Sequence, residues 1–280
     1  MDLAAEGRAW RAAHPPRPPS DTPEVVFVIP LISKARAHDW ARVCRTLADT
    51  LASLRAQTSP AWRALVCCQD RPEGIAFDDT VSFLPFERPD EVSPETVTKF
   101  DNHAKKTQMI LHLAKTHGGD GYLFQLDADD MLHPELVAHM VGDNNGAGYL
   151  IPKGYMMHAE TRALAYLGPK RLRYPFANRF DRECGSSSAI RFDFRDGDAC
   201  LEPIRKRGKH KEIADHMAAY GFEMTEVPFP AALYVIGHGE NMRQRRGKMG
   251  AKERYLRRNR LSKGDDRAAR AAFGLAEEIR

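Results

Sequence analysis

The sequence predicts an α/β protein built on a doubly wound, mostly parallel sheet with helices on its faces. Three observations predict it. A β-branched run, VVFVI at 25–29, is ended by Pro30 and suits a buried parallel strand. A second apolar run, YLFQL at 122–126, halts at the acidic DADD of 127–130. Between and around these runs, apolar residues recur at helical spacing. The alternation strand, helix, strand, then strand, helix, strand belongs to sheets that bind ligands at the carboxyl ends of their strands. With 280 residues, 42% hydrophobic and 29% charged, the chain can bury one sizeable core.

In chain order, residues 1–22 hold a short Ala-rich piece and then HPPRPPSDT, which is expected to be a linker or mobile arm because proline at this density favours extended backbone. After the strand at 25–29, Val43, Cys44, Leu47, Leu51 and Leu54 mark a helix that starts at Trp40. Strands are expected at 64–68 and 81–84. Val97, Phe100, Ala104, Ile110, Leu111 and Ala114 mark a second long helix, with Lys105 and Lys106 in its middle. Beyond the helix that Pro134 introduces, 149–151 and 163–167 read as strands and CGSSSAIRF at 184–192 as a turn leading into a strand. Residues 202–209 read as a polar loop, 210–220 as a helix closed by Gly221, and 227–229 and 233–236 as short strands. The folded part is expected to span 23–242, followed by a basic, partly helical tail over 243–280.

The stretch 122–134 organises the chemistry. At a strand end, residues two apart point to one side, so Asp127 and Asp129 can project together past the small Ala128. Adjacent carboxylates repel, and a hard divalent cation lets both stay ionised. Asp130 is placed to cap the following helix. A helix-loop-helix calcium site is excluded, because its sixth and twelfth positions would be Leu132 and Ala138 where glycine and glutamate are needed.

Cys44, Cys67, Cys68, Cys184 and Cys200 show no metal-ligand spacing, and five is an odd number, so they read as reduced thiols. No stretch approaches the roughly 20 apolar residues that span a bilayer, and no secretory signal is evident, which makes the cytoplasm the expected location. The net charge of +4 is uneven: from Arg243 onward 13 basic residues face 5 acidic ones. Aromatic residues for base stacking do not accompany this stripe, so nucleic acid is not the expected partner. Attraction to an anionic membrane surface, contact of Arg243 with a pyrophosphate, or simple solvation are the readings that remain.

With these residues in hand, the chain resembles the GT-A fold glycosyltransferases, most closely the inverting group called glycosyltransferase family 2, from about residue 25 to 241. FQLDADDMLHPELV carries the resemblance, supported by VIP at 28–30, LASLRAQTSPAW, GSSSAIRF and YVIGHGENM. It implies a GT-A (Rossmann-like) sheet with a smaller acceptor-side sheet region, a nucleotide-diphosphate sugar as donor with a UDP-sugar favoured, and transfer to a hydroxyl of a glycan or glycoconjugate. It further implies Mn2+ or Mg2+ on Asp129, with Asp127 near the metal and the donor, and His238 as a third metal-site group. Pro30 and the strand-end pair Gln69 and Asp70 fall on the nucleotide side, where Gln69 stands in place of the family's usual acid. Lys105 falls near a family position that meets phosphate or ribose.

The family's catalytic Asp position is filled differently. Counting back from Gly221 puts His210 there, and a histidine can act as general base near neutrality. Asp181 and Glu183 are the reserve candidates. A non-catalytic nucleotide-sugar or glycan-binding relative is the alternative reading. A nucleotidylyltransferase ranks below it, because LISKAR at 31–36 lacks the glycines of the loop that follows the first strand in those enzymes.

Overall fold

The structure is a computed structural model that describes residues 2–15, 17–90, 92–195, 197, 201–206, 209–240 and 250–276. At its centre is β1 (Glu24–Pro30), which pairs in parallel with β2 (Trp62–Cys68) on one side and β4 (Asp120–Gln125) on the other. β3 (Val81–Pro85) extends the sheet beyond β2, again in parallel. Beyond β4 come β9 (Ser188–Asp193), which runs antiparallel to both its neighbours, then β6 (Gly148–Leu150) and β10 (Thr225–Glu226). The result is a seven-stranded, mostly parallel sheet, the GT-A-like layout.

β1 shows why the sheet is central. Val25, Phe27 and Ile29 pack with Val43, Leu47 and Leu54 of α2 (Trp40–Arg55) and with Leu136 and Met140 of α4 (Leu136–Asp143). The alternate residues Val26 and Val28 pack with Met109, Ile110 and Leu113 of α3 (Pro94–Thr116), together with α6 (Leu201–Arg205) and α7 (Ile213–Ala219). A strand with both faces covered must be apolar at every position, and all five residues are fully inaccessible.

A second sheet of four strands holds β5 (Met131–Leu132), β11 (Ala232–Ile236), β7 (Gly154–His158) and β8 (Leu164–Leu167), in that order. It is the smaller sheet region expected from the resemblance. The helix expected from Pro134 begins at Leu136.

Four expectations are corrected. Residues 3–13 are not part of a mobile arm: they form α1 (Leu3–Ala13), capped by Asp2, with Trp10 buried against Tyr220 and Phe222. The loop expected at 202–209 starts as α6, because Leu201 and Ile204 are buried under the sheet. The strand expected at 227–229 lies just before it, as β10. The basic tail is helical in part beyond residue 249, as expected, in α8 (Gly250–Arg258) and α9 (Lys263–Phe273), but it is not separate from the folded part: Leu256, Leu261, Ala269 and Phe273 are buried in the core. Cys44, Cys67, Cys68 and Cys184 are free and buried, and Cys200 lies outside the described residues. Among the described residues no helix is long and apolar enough to cross a membrane.

Candidate functional site

The acidic turn joins the two sheets. Leu126 still belongs to the large one, its amide donating to the Val28 carbonyl (3.1 Å), whereas Met131 opens β5 in the small one. Between them the chain must reverse, and the Asp130 amide donates to the Asp127 carbonyl (3.2 Å) to close the turn. Asp130 is fully buried. Its carboxylate accepts from the Val235 amide of β11 (3.1 Å), the Ser186 hydroxyl (2.6 Å) and the Cys184 thiol (3.0 Å). It therefore braces three segments and does not cap α4, whose first turn has Glu135 before it and no side-chain cap. Burial, with the charges of Asp129 and Asp127, pushes the Asp130 carboxyl well above the usual range, against the pull of its donors.

Asp127 and Asp129 are held differently. The Asp127 amide donates to Ser186 Oγ (2.9 Å), and Gly185 passes so close that a Cβ there would lie 3.2 Å from Asp127 Oδ2. Burial raises the Asp127 carboxyl; the Lys106 ammonium opposes the shift and the Asp129 charge adds to it. Asp129 Oδ2 lies 2.6 Å from Nε2 of His238. The Glu240 amide donates to Nδ1 of the same ring (3.3 Å), and the His238 carbonyl accepts from Arg42 (2.9 Å). An amide aimed at Nδ1 leaves the ring proton on Nε2, facing Asp129, so His238 acts here as the carboxylate's orienting partner. Gly237 and Gly239, at φ of 80° and 89°, let the loop turn on both sides of that ring.

The donor set is two carboxylates with one imidazole behind them. Among the described residues, no three His, Cys, Asp or Glu side chains are gathered as a metal-holding group. The oxygens of Asp129 and Asp127 still suit a small hard cation of the kind held by one or two carboxylates and completed by substrate phosphates.

Pro30 ends β1 and pairs with Cys67, and Gln69 and Asp70 follow β2, all at the carboxyl edge. Gln69 is exposed, and the Asp70 carboxylate accepts from the Lys34 amide (2.7 Å). Lys105 turns inward: it is 1% exposed, and its ammonium donates to the Leu31 carbonyl and to Asp101. Burial of that kind leaves it no reach toward a ligand. Its neighbour Lys106, donating to Gln125 at the end of β4 (3.3 Å), is the lysine beside the acidic turn. Arg243 lies outside the described residues.

His210 opens a 3-10 turn (His210–Glu212) that leads into α7. The turn packs on α5 (Phe180–Glu183), where Arg182 donates to the Lys211 carbonyl (2.6 Å). Both reserve candidates sit in α5. Asp181 is buried and accepts a forked pair from Arg179 (3.0 and 3.2 Å). Glu183 accepts from Lys252 of α8 (2.6 Å) and from Asn178 (2.9 Å). Burial works against ionisation of Glu183, but Lys252 and Asn178 prevail and hold its carboxyl below the usual range.

Sequence reasoning missed the partners of the turn. Ser186 and Cys184 were visible only as part of a small-residue turn, and the smallness was the signal, since the chain passes against Asp127 there. Nothing local in the sequence marks Arg42 or the Val235 amide, because both contacts depend on how distant segments pack.

Together these features define an α/β protein of GT-A-like layout with a carboxylate-bearing turn at the carboxyl edge of its large sheet. No protein-family model matches the chain, and no curated protein matches it. Among solved structures it is similar to S. aureus TarS, residues 1–349, at 11% identity and a TM-score of 0.42, over 89% of this chain and 70% of that one. It is also similar to the 2-C-methyl-D-erythritol 4-phosphate cytidylyltransferase IspD of Francisella tularensis, at 10% identity and a TM-score of 0.37, over 82% of this chain and 99% of that one.

Proposed function

We propose that this chain is a metal-dependent glycosyltransferase, of the inverting hexosyltransferase type, that moves a sugar from a nucleotide-diphosphate sugar to an acceptor hydroxyl. One observation carries the reading. Of the three carboxylates in the turn, Asp130 is buried as a brace, while Asp127 and Asp129 stand at the sheet's carboxyl edge with Asp129 oriented by His238 at 2.6 Å. A fold that only needed the turn would need Asp130 alone.

Asp129 is assigned as the oxygen ligand of Mn2+ or Mg2+, with Asp127 beside it toward the donor. The cation would supply positive charge for the departing diphosphate. His238 holds the Asp129 carboxylate in one orientation. Lys106 adds a positive charge on the Asp127 side. Gln69, exposed after β2, offers an amide that can hydrogen-bond the edge of a nucleotide base such as uracil. His210 is assigned as the base that takes the acceptor proton, because Asp181 and Glu183 are each engaged by a cation and ion pairing weakens a carboxylate as a base.

Calorimetric titration with UDP and with GDP, in manganese and in EDTA, tests the donor site on the wild type and on Asp129→Ala. Manganese-dependent binding of one nucleotide that disappears in the variant supports the reading; absence of binding under every condition overturns it. The engagement of Asp181 and Glu183 favours one second reading, a protein of the same fold that binds the nucleotide sugar without transfer. Binding without turnover of any donor, unchanged by His210→Ala, would select it.

A further inference from the structure

We propose that the loop over residues 168–178 and the outward face of α8 form a docking surface for an anionic lipid bilayer, with Leu172 and Phe176 as the side chains that enter it. This goes beyond the transferase reading and is tested without nucleotide.

The apolar tip is the starting point. Among the described residues the large hydrophobic side chains exposed to solvent are Leu3, Leu172 and Phe176, and the last two lie four residues apart in one loop. Leu172 is 102% exposed and Phe176 63%. The loop is not a loose excursion. Its base is closed by the Gly168 amide donating to the Asn178 carbonyl (2.8 Å), and inside it the Tyr174 amide donates to the Arg171 carbonyl (3.0 Å). Tyr174 and Ala177 point down into the core of the small sheet, and the Tyr174 hydroxyl donates to Asp265 of α9. With two residues of the loop anchored, the side chains at 172 and 176 are held outward.

Charge surrounds that tip. Lys170, Arg171 and Arg173 are exposed in the same loop. α8 turns Lys252, Tyr255 and Leu256 inward and leaves Arg254, Arg257 and Arg258 outward. The Arg258 guanidinium sits 5.7 Å from the centroid of the Phe176 ring, which puts the outer face of α8 beside the loop. Within the loop and α8 the one acid is the exposed Glu253, and Asp265 of α9 accepts from Arg173 (3.0 Å). The balance is strongly cationic.

A protein interface needs a contiguous apolar area at its centre. Two isolated apolar side chains ringed by cations instead suit a bilayer, whose acyl boundary takes the tips while anionic headgroups meet the arginines and lysines.

The test is co-sedimentation of the full chain with vesicles of phosphatidylcholine, alone or mixed with phosphatidylglycerol. Binding to the mixed vesicles at low salt, released at about 0.5 M salt, is expected. Arg254→Ala with Arg257→Ala should weaken it by about 25-fold. Leu172→Glu with Phe176→Glu should weaken it by at least about ten-fold, leaving the melting temperature unchanged because both side chains are exposed. Leu172→Trp should gain a blue-shifted emission on the mixed vesicles that brominated acyl chains quench. Failure to sediment with anionic vesicles at low salt overturns the proposal. So does equal sedimentation of the Leu172→Glu, Phe176→Glu variant, and so does binding that appears only when the vesicles carry membrane proteins.

Discussion

Replacing Asp130 by alanine removes a fully buried carboxylate that accepts from Val235, Ser186 and Cys184. Two of the donors lost to it, an amide and a hydroxyl, cost about 1–2 kcal/mol each when left buried without an acceptor, and the thiol adds less. The expected loss is therefore ~3 kcal/mol, which for a chain of this size lowers the melting temperature by about 6–12 °C. Asp130→Asn should cost about half as much, because burial already favours an uncharged group there. Asp129→Ala is the control. Its side chain is 21% exposed and, unlike Asp130, reaches toward solvent while accepting from the His238 ring, so a smaller loss of ~1 kcal/mol and about 2–4 °C is expected, together with loss of manganese-dependent nucleotide binding. Thermal unfolding followed by circular dichroism and calorimetric titration read both quantities on each variant. If Asp130→Ala melts within about 2 °C of the wild type, or if Asp129→Ala falls as far as Asp130→Ala, the division of labour within the turn is wrong.

Three further outcomes are expected. His238→Gln should retain most of the manganese-dependent nucleotide affinity, because its amide can still donate to Asp129, whereas His238→Ala should lose about ten-fold; equal loss in both would argue that the imidazole itself is the ligand. In Gly7→Ala the new Cβ would lie 2.0 Å from the Ala219 carbonyl oxygen, so α1 should lift away and the emission of Trp10 should shift to the red; an unchanged spectrum would contradict the docking of α1. The Glu183 pKa is lowered on folding, so its pairing with Lys252 contributes stability above pH 4.5, the ordinary value, and loses it as pH falls through the folded-state value. Limited proteolysis should then cut the C-terminal helices faster as the medium is acidified below pH 4.5, and Glu183→Gln should remove that pH dependence.

The central strands and α2 were legible because their apolar residues repeat with the period of the element they form. Val43, Cys44, Leu47, Leu51 and Leu54 are all buried where the pattern puts them, and the strand over 25–29 is inaccessible at each position. The small sheet was only half legible. β5 has two residues and β7 reads GYMMH, too short or too mixed for a period to show, and both exist because β11 lies between them. α1 was hidden by composition, and so was the packing of the C-terminal helices: alanine, arginine and proline suggested solvent, while Trp10 at one end and Leu256, Leu261, Ala269 and Phe273 at the other supply the docking. In the site, the DADD turn announced itself, but its internal assignment did not. Which of its acids faces inward depends on Ser186 and Val235, 56 and 105 residues away.

β11 and the loop that follows it each contribute to the acidic turn: the Val235 amide of the strand reaches Asp130, and three residues on, just past the strand end, His238 reaches Asp129. The alignment of β11 with β5 is defined by two residue pairs, Ala232 with Leu132 and Leu233 with Met131, and by five more with β7. Sliding β11 by one position would turn the amide of residue 235 away and carry the imidazole about 3.3 Å along the strand. The spacing between the two sheets' contributions is thus gauged by strand register, as a rule is gauged by its divisions. A ligand bound at Asp129 would therefore rest on a carboxylate whose imidazole partner is placed by the register of β11 against β5 and β7.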